Sequence, residues 1–211
     1  DIHSSGLYGL ELHDLPELNN INLDRSNSLS SLNLYNLPKL KYLNCNSTAL
    51  TSLELVDLPS LSTLYFGNPT LIQLKLSKIP NLSILNCINS GLTNLDISDF
   101  PLLSSVYCRE NSLLKSLTVR DLSKLNEFSS INNLALEKII INNLPNLTEL
   151  EVTQSSISTL HLDNFPMLKN VICSSNSMLD SLTLINLPAL ESINCGGSRL
   201  KSLEIKNLLE L

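Results

Sequence analysis

Apolar positions along this chain fall into one short pattern that returns again and again. Residues 40–61 read LKYLNCNSTALTSLELVDLPSL, and the next copy begins where this one ends. The Ser-Leu-x-Leu segment that starts at Ser52 has equivalents starting at Gly9, Ser31, Gln73, Asn94, Ser116, Lys138, Thr159, Ser181 and Ser202, in steps of 21 or 22 residues. A period of that length marks a repeat architecture, in which each copy is one unit that cannot bury its apolar face alone. Stacking the copies buries a continuous core.

Each copy divides into two halves. The first reads Leu-x-x-Leu-x-Leu-x-x-Asn-x-Leu in outline, with copies starting at Leu18, Leu40, Leu61, Leu82, Leu103, Leu125, Leu147, Leu168 and Leu190. Its ninth position holds Ser26, Thr48, Pro69, Ser90, Asn111, Asn133, Ser155, Asn176 and Ser198. Short polar side chains there are placed to hydrogen-bond the backbone as it turns inward, where bare N–H and C=O groups are costly. Pro69 offers no such bond, so an altered turn is expected at that copy. The second half alternates leucine with polar residues, as at residues 50–55 and 179–184, and alternation at period two predicts a strand rather than a helix. Asp or Asn followed by Leu-Pro or Phe-Pro then closes the copy, as at Asp57, Leu58 and Pro59. Proline ends the strand and the Asx side chain suits the turn. Copies of 22 residues carry their extra residue near Asn111, Asn133 and Asn176, which reads as a small bulge between the two strands.

The expected architecture is a mainly β solenoid of about ten turns, with a parallel sheet on the concave face and a second short parallel strand on the convex face. At about 4.8 Å per turn the rod is roughly 45 Å long. Its ends are open sheet edges. The tenth copy stops partway at Leu211 without a polar cap, which reads as one domain, 1–211, of a longer protein.

Cysteine usage follows the repeat. Cys45, Cys87, Cys108, Cys173 and Cys195 share one position with Leu23, Phe66, Ser130 and Val152 of other copies. A site that accepts Leu, Phe or Val is interior, so reduced, buried thiols are the favoured reading. Disulfides between successive copies are close enough in Cα distance but poorly oriented. No histidine shares the column, which argues against zinc and leaves no metal or cofactor predicted.

The repeat resembles that of leucine-rich repeat proteins, from about Leu10 onward. Its length and Leu-x-Cys-x-x-Ser pattern are most similar to bacterial surface and secreted types, the internalins and the Cys-containing repeats of Bacteroidetes proteins. The resemblance implies a secreted or cell-surface protein that binds on its concave face. The additional leucine two residues further along the second half departs from the internalin pattern, so the convex face is expected to differ.

Composition excludes several functions. Net charge is −6 with no basic window, which disfavours nucleic acid. No apolar run is long enough to span a membrane as a helix, and the first residues lack the basic segment and apolar core of a signal peptide, so one is expected to be absent from this stretch or already removed. Of three histidines, His13 and His161 lie seven copies apart, roughly 33 Å, and both point outward on the second strand. Glu149 and Glu151, or Glu110 beside Arg109, have no pocket-forming insertion around them. Gly196-Gly197 is a pair inside a turn rather than a phosphate cradle. An enzyme is not expected.

The surface remains. The first strand's outward column reads Asn22, Asn44, Tyr65, Asn86, Tyr107, Ser129, Glu151, Ile172 and Asn194, with Tyr42, Ile84, Ile88, Arg109 and Ile131 beside it. Tyrosine, isoleucine and arginine on an otherwise Asn/Ser face fit an interface core with a polar rim. Glu127, Glu149, Glu151 and Glu191 make the far part acidic. The candidate interface is therefore Tyr42, Tyr65, Ile84, Tyr107, Arg109, Glu149 and Glu151, with a protein as the ligand. The alternative is a rigid spacer whose outward residues are simply good strand formers.

Overall fold

In the computed structural model, which describes residues 2–208, nineteen strands alternate between two walls, and no helix occurs among the described residues. One wall carries β1 (Gly9–His13), β3 (Ser31–Tyr35), β5 (Ser52–Val56), β7 (Gln73–Ser77) and β9 (Asn94–Ile97). It continues with β11 (Ser116–Arg120), β13 (Lys138–Asn142), β15 (Thr159–Asp163), β17 (Ser181–Ile185) and β19 (Ser202–Lys206). The other wall carries β2 (Asn20–Asn22), β4 (Tyr42–Asn46), β6 (Thr63–Gly67), β8 (Ile84–Ile88) and β10 (Ser105–Arg109). Its remaining strands are β12 (Glu127–Ile131), β14 (Glu149–Thr153), β16 (Asn170–Ile172) and β18 (Ser192–Asn194). This is a leucine-rich-repeat-type parallel β-solenoid of nine complete turns, one fewer than the period count gives. The strand expected in place of the outer helix is present in every turn.

Alternation sorts the side chains as the sequence predicts. In β4 the inward Leu43 and Cys45 are buried while Tyr42, Asn44 and Asn46 are half-buried; in β5 Leu53 and Leu55 are buried between exposed or half-buried neighbours. Phe66, Phe128 and Phe165 are the largest fully buried side chains of the core. At the copy boundary Leu37 accepts the amide of Leu40 at 3.1 Å, and Leu58 that of Leu61 at 3.1 Å, so Pro38 and Pro59 stand at the second turn position, where a fixed φ helps. The residue after each second strand, or in the case of β9 the second residue after it, Asp99, lies in the left-handed region, from φ 52° at Asn143 to 65° at Asn164. Asp and Asn tolerate that conformation best among non-glycine residues, which explains their column. Lys78, at φ 55°, is the one exception.

The inward polar column ties the turns together. Asn111 accepts the amide of Ser90 at 2.8 Å and its hydroxyl at 2.6 Å, and donates to the carbonyl of Cys87 at 2.9 Å. Asn133 accepts the amide of Asn111 at 2.8 Å and donates to the carbonyl of Cys108 at 2.8 Å. Asn176 does the same for Ser155 and Val152. Each asparagine thus satisfies backbone of the preceding turn. Where Pro69 occupies the ninth position the turn is altered, as expected: Asn68, one residue earlier, is buried and donates to the hydroxyl of Thr48 at 3.2 Å. No left-handed residue precedes it, and Gly67 lets the backbone of Ile88 pass where a Cβ would collide with its carbonyl.

Two expectations need correction. The extra residue of the longer copies is not a bulge but widens a turn. In those copies two residues stand between the polar residue and the next core leucine, whose amide closes on the polar residue's carbonyl; Leu114 bonds to Asn111 at 3.1 Å and Leu136 to Asn133 at 2.9 Å. Nor is each wall one sheet. The nine even-numbered strands form one continuous sheet, whereas the odd-numbered wall breaks into β1-β3, β5-β7, β9-β11-β13 and β15-β17-β19. A wall that keeps every ladder is shorter than one that breaks, so the continuous wall is concave and the broken one convex. All three breaks follow copies with a single residue between polar residue and leucine, at Thr48, Ser90 and Ser155. One residue fewer shortens the crossing by about 3.3 Å, so the second strand stops short of its predecessor's ladder. The copy at Ser198 is equally short, yet β19 pairs with β17.

The ends also differ from the expectation in part. Ile2 donates to Asn22 and Ser4 to Asp24, so residues 2–4 cover the first concave edge. Leu211, read as an uncapped stop, lies outside the described residues.

Cys45, Cys87, Cys108 and Cys173 are buried free thiols; Cys195, at the end of the column, is half-buried rather than interior. Burial pushes the thiols of Cys45 and Cys173 up to about 12. A hydrogen bond with Cys108, followed by burial, raises Cys87 well above the ordinary range. Ellman's reagent is expected to titrate Cys195 alone in the native protein and all five thiols after denaturation; rapid native reaction of more than one would show the column to be open.

Replacing Asn111 with Ala strips partners from the buried Ser90 amide and Cys87 carbonyl, so urea unfolding should register a loss of about 3 kcal/mol. Lys78→Asn relieves an unfavourable left-handed residue and is expected to gain roughly 0.5–1 kcal/mol in the same assay.

Candidate functional site: the concave wall

The continuous sheet carries the outward column predicted from the sequence as one straight line. Asn44 stands in register with Tyr65, Tyr65 with Asn86, Asn86 with Tyr107, Tyr107 with Ser129 and Ser129 with Glu151. Because every ladder of this wall is kept, these residues repeat at the strand spacing of about 4.8 Å. All seven candidates lie on this face. Tyr65, Tyr107 and Glu151 are in the central column, Tyr42, Ile84 and Glu149 in the column on one side, and Arg109 in the column on the other.

The structure resolves them into two groups. Tyr42 and Tyr65 meet edge to face with ring centroids 5.6 Å apart and planes at 61°. Both are half-buried, and burial is the main cause that raises the Tyr42 phenol above its ordinary pKa. The second group begins at Arg109, whose guanidinium carbon sits 5.5 Å from the centre of the Tyr107 ring. Its Nε donates to the Ser129 hydroxyl at 3.2 Å, and that hydroxyl donates to Glu151 Oε2 at 2.8 Å. A hydrogen bond to Glu127, then burial, raises the phenol of Tyr107. Glu127 on the neighbouring strand thus holds Tyr107, and Glu151 one strand further on holds Arg109 through Ser129. Ile84 stands between the groups, half-buried.

Ser129 lies in the outward column as expected, yet it is only 4% exposed. The chain Arg109–Ser129–Glu151 crosses above it and covers it. The signal was present in register, since Ser129 is the small residue between Tyr107 and Glu151 in one column. That the longer side chains on either side would fold over it required coordinates. Glu127, noted as part of the acidic zone, joins the site through Tyr107. Glu149 is exposed and lies beside Glu127 in register, so two carboxylates stand side by side there. Glu191 is drawn off into an ion pair with Lys169 at 2.9 Å. Between the strands that carry Tyr65 and Tyr107, the Asn86 side-chain oxygen is buried without a hydrogen-bond partner.

His13 and His161 take no part in this face. His13 lies flat on Tyr35 at 4.6 Å on the convex side with its Nδ1 2.8 Å from Asp14, and His161 is exposed on β15.

No protein-family model matches the chain, and no curated protein matches it. Among solved structures it is similar to the functional domain of InlJ from Listeria monocytogenes, described as including a cysteine ladder. The identity is 18% over 87% of this chain and 66% of that one, with a TM-score of 0.27, so the chain spans just under two thirds of that structure.

Proposed function

We propose that this chain is a non-catalytic recognition module of a secreted or cell-surface protein, and that its concave wall binds a protein partner. The observation that carries the reading is the group of three tyrosines on one wall, Tyr42, Tyr65 and Tyr107, each half-buried and none required by the leucine core. Tyrosine and arginine are the side chains that most often dominate protein interfaces, because a rigid amphipathic ring or a planar guanidinium buries much area for little lost freedom. Here neighbours already hold them: Tyr65 steadies Tyr42, while Glu127 and Ser129 fix Tyr107 and Arg109. Preorganisation of this kind lowers the entropy lost on association. The carboxylates of Glu127, Glu149 and Glu151 favour a partner that sets basic side chains opposite them.

The test replaces Tyr65 and Tyr107 together with Ala. The thermal midpoint is expected to change by no more than a few degrees, since neither ring belongs to the core. A partner captured by the wild-type protein, identified by mass spectrometry and purified, should bind the variant at least ~30-fold more weakly by titration calorimetry, the loss of one hot spot. A large fall in thermal midpoint with unchanged binding would make the tyrosines packing residues and return the chain to a rigid spacer.

A further inference from the structure

The convex wall contains a second surface, independent of the concave face. At the break between β7 and β9 no Cα of one strand lies within 8 Å of a Cα of the other, although β6 and β8, directly opposite, remain paired. The opening is a cleft of about 1170 Å³, somewhat larger than a typical small-molecule pocket. The break between β3 and β5 holds a smaller one of about 680 Å³, with a more polar lining.

Three features show what the larger cleft lacks. Its two long sides are strand edges without partners. At the equivalent place in other turns the amides of Ile72 and Gln73 donate to Thr51, and those of Lys115 and Ser116 to Thr93; the amides of Thr93 and Asn94 make no such bond to the preceding turn. Its floor is core that has lost its cover. Leu74 and Leu76 are only partly buried, whereas Leu182 and Leu184, in a strand paired on both sides, are 0% exposed. Finally, the cleft opens from a point of contact: the backbone at Gly91 passes so close to the Pro69 carbonyl that no Cβ fits, and β9 diverges from there.

Unpaired N–H and C=O groups facing each other across an apolar floor are the complement of one chemistry, an extended polypeptide. We propose that the cleft between β7 and β9 receives an extended segment of a partner protein, which runs parallel to both strands, hydrogen-bonds to both edges and lays alternate aliphatic side chains on Leu74, Leu76 and Leu95. The outward positions define the segment further. By repeat position Lys75 on one edge stands opposite Asp96 on the other, and each already has an ion-pair partner, Glu54 and Arg120, so the residue between them needs no charge of its own and is a neutral polar one, Ser or Thr. The far edge of β9 already accepts such a strand: β11 sets Leu117 beside Leu95, Thr118 beside Asp96 and Val119 beside Ile97.

That pairing supplies the probe. A synthetic peptide with the sequence of residues 115–121, KSLTVRD, is titrated into the unaltered protein and amide hydrogen exchange is followed by mass spectrometry. The expected result is slowing by about tenfold or more in β7 and β9 and no change in the concave strands. A peptide N-methylated at alternate residues, which keeps its side chains but loses the donors to one edge, is expected to bind about tenfold more weakly or worse. Equal binding of the methylated peptide, protection on the concave wall, or no protection at a saturating concentration would each overturn the proposal. Concentration-dependent protection of β7 and β9 without peptide, with a doubled mass in sedimentation, would assign the cleft to a second copy and overturn it as well. Because the unaltered protein is used throughout, a misfolded variant cannot imitate any of these outcomes.

Discussion

Every turn of this solenoid must carry the chain from one wall through to the other, and the crossing exposes backbone to the core. The buried polar column answers that constraint. Asn111, Asn133 and Asn176 each take up an amide of the preceding turn with the side-chain oxygen and a carbonyl of it with the nitrogen. The same bonds that satisfy the backbone set the distance between turns. Leucine stacking supplies the bulk of the burial, but it is non-directional; the asparagines define the register in which leucine meets leucine. Serine and threonine satisfy less at the same position, and Asn68 shows that the requirement is for a polar side chain at that depth rather than at a fixed sequence number.

Crossing length then decides the shape of the outer wall. With two residues between the polar side chain and the next leucine, the second strand reaches its predecessor in all five copies. With one residue, it falls short in three of four. The inner wall is insensitive to this, because its strands precede the crossing. One face is therefore continuous and evenly spaced, and the other is interrupted.

The two surfaces offer different chemistry for that reason. On the continuous wall side chains repeat at strand spacing, so Tyr42 and Tyr65 meet, and Arg109, Ser129 and Glu151 link across three strands. What that wall presents to solvent is side chains. On the interrupted wall backbone edges and partly uncovered leucines are on offer, the groups that an added strand would use. A single irregularity, the short crossings at Ser90 and its equivalents, separates the two.

The fold was legible in the sequence because its determinants are local and repeated. Period-two leucines define the strands, the Asx-Leu-Pro run ends them, and a cysteine that alternates with Leu, Phe and Val must be interior. The outward column of the concave wall could be read for the same reason, since a parallel ladder keeps equivalent positions in line. What required the tertiary structure depends on contacts between unequal neighbours. Ser129 is covered because longer side chains on both adjacent strands close over it. Cys195 is half-buried because it follows β18, the terminal strand of the concave sheet, with no further strand beside it among the described residues. The breaks in the convex wall came from a one-residue difference in the crossing. The sequence displays that difference plainly, but its effect is a matter of reach across space, and only the packed turns decide whether a strand meets its neighbour.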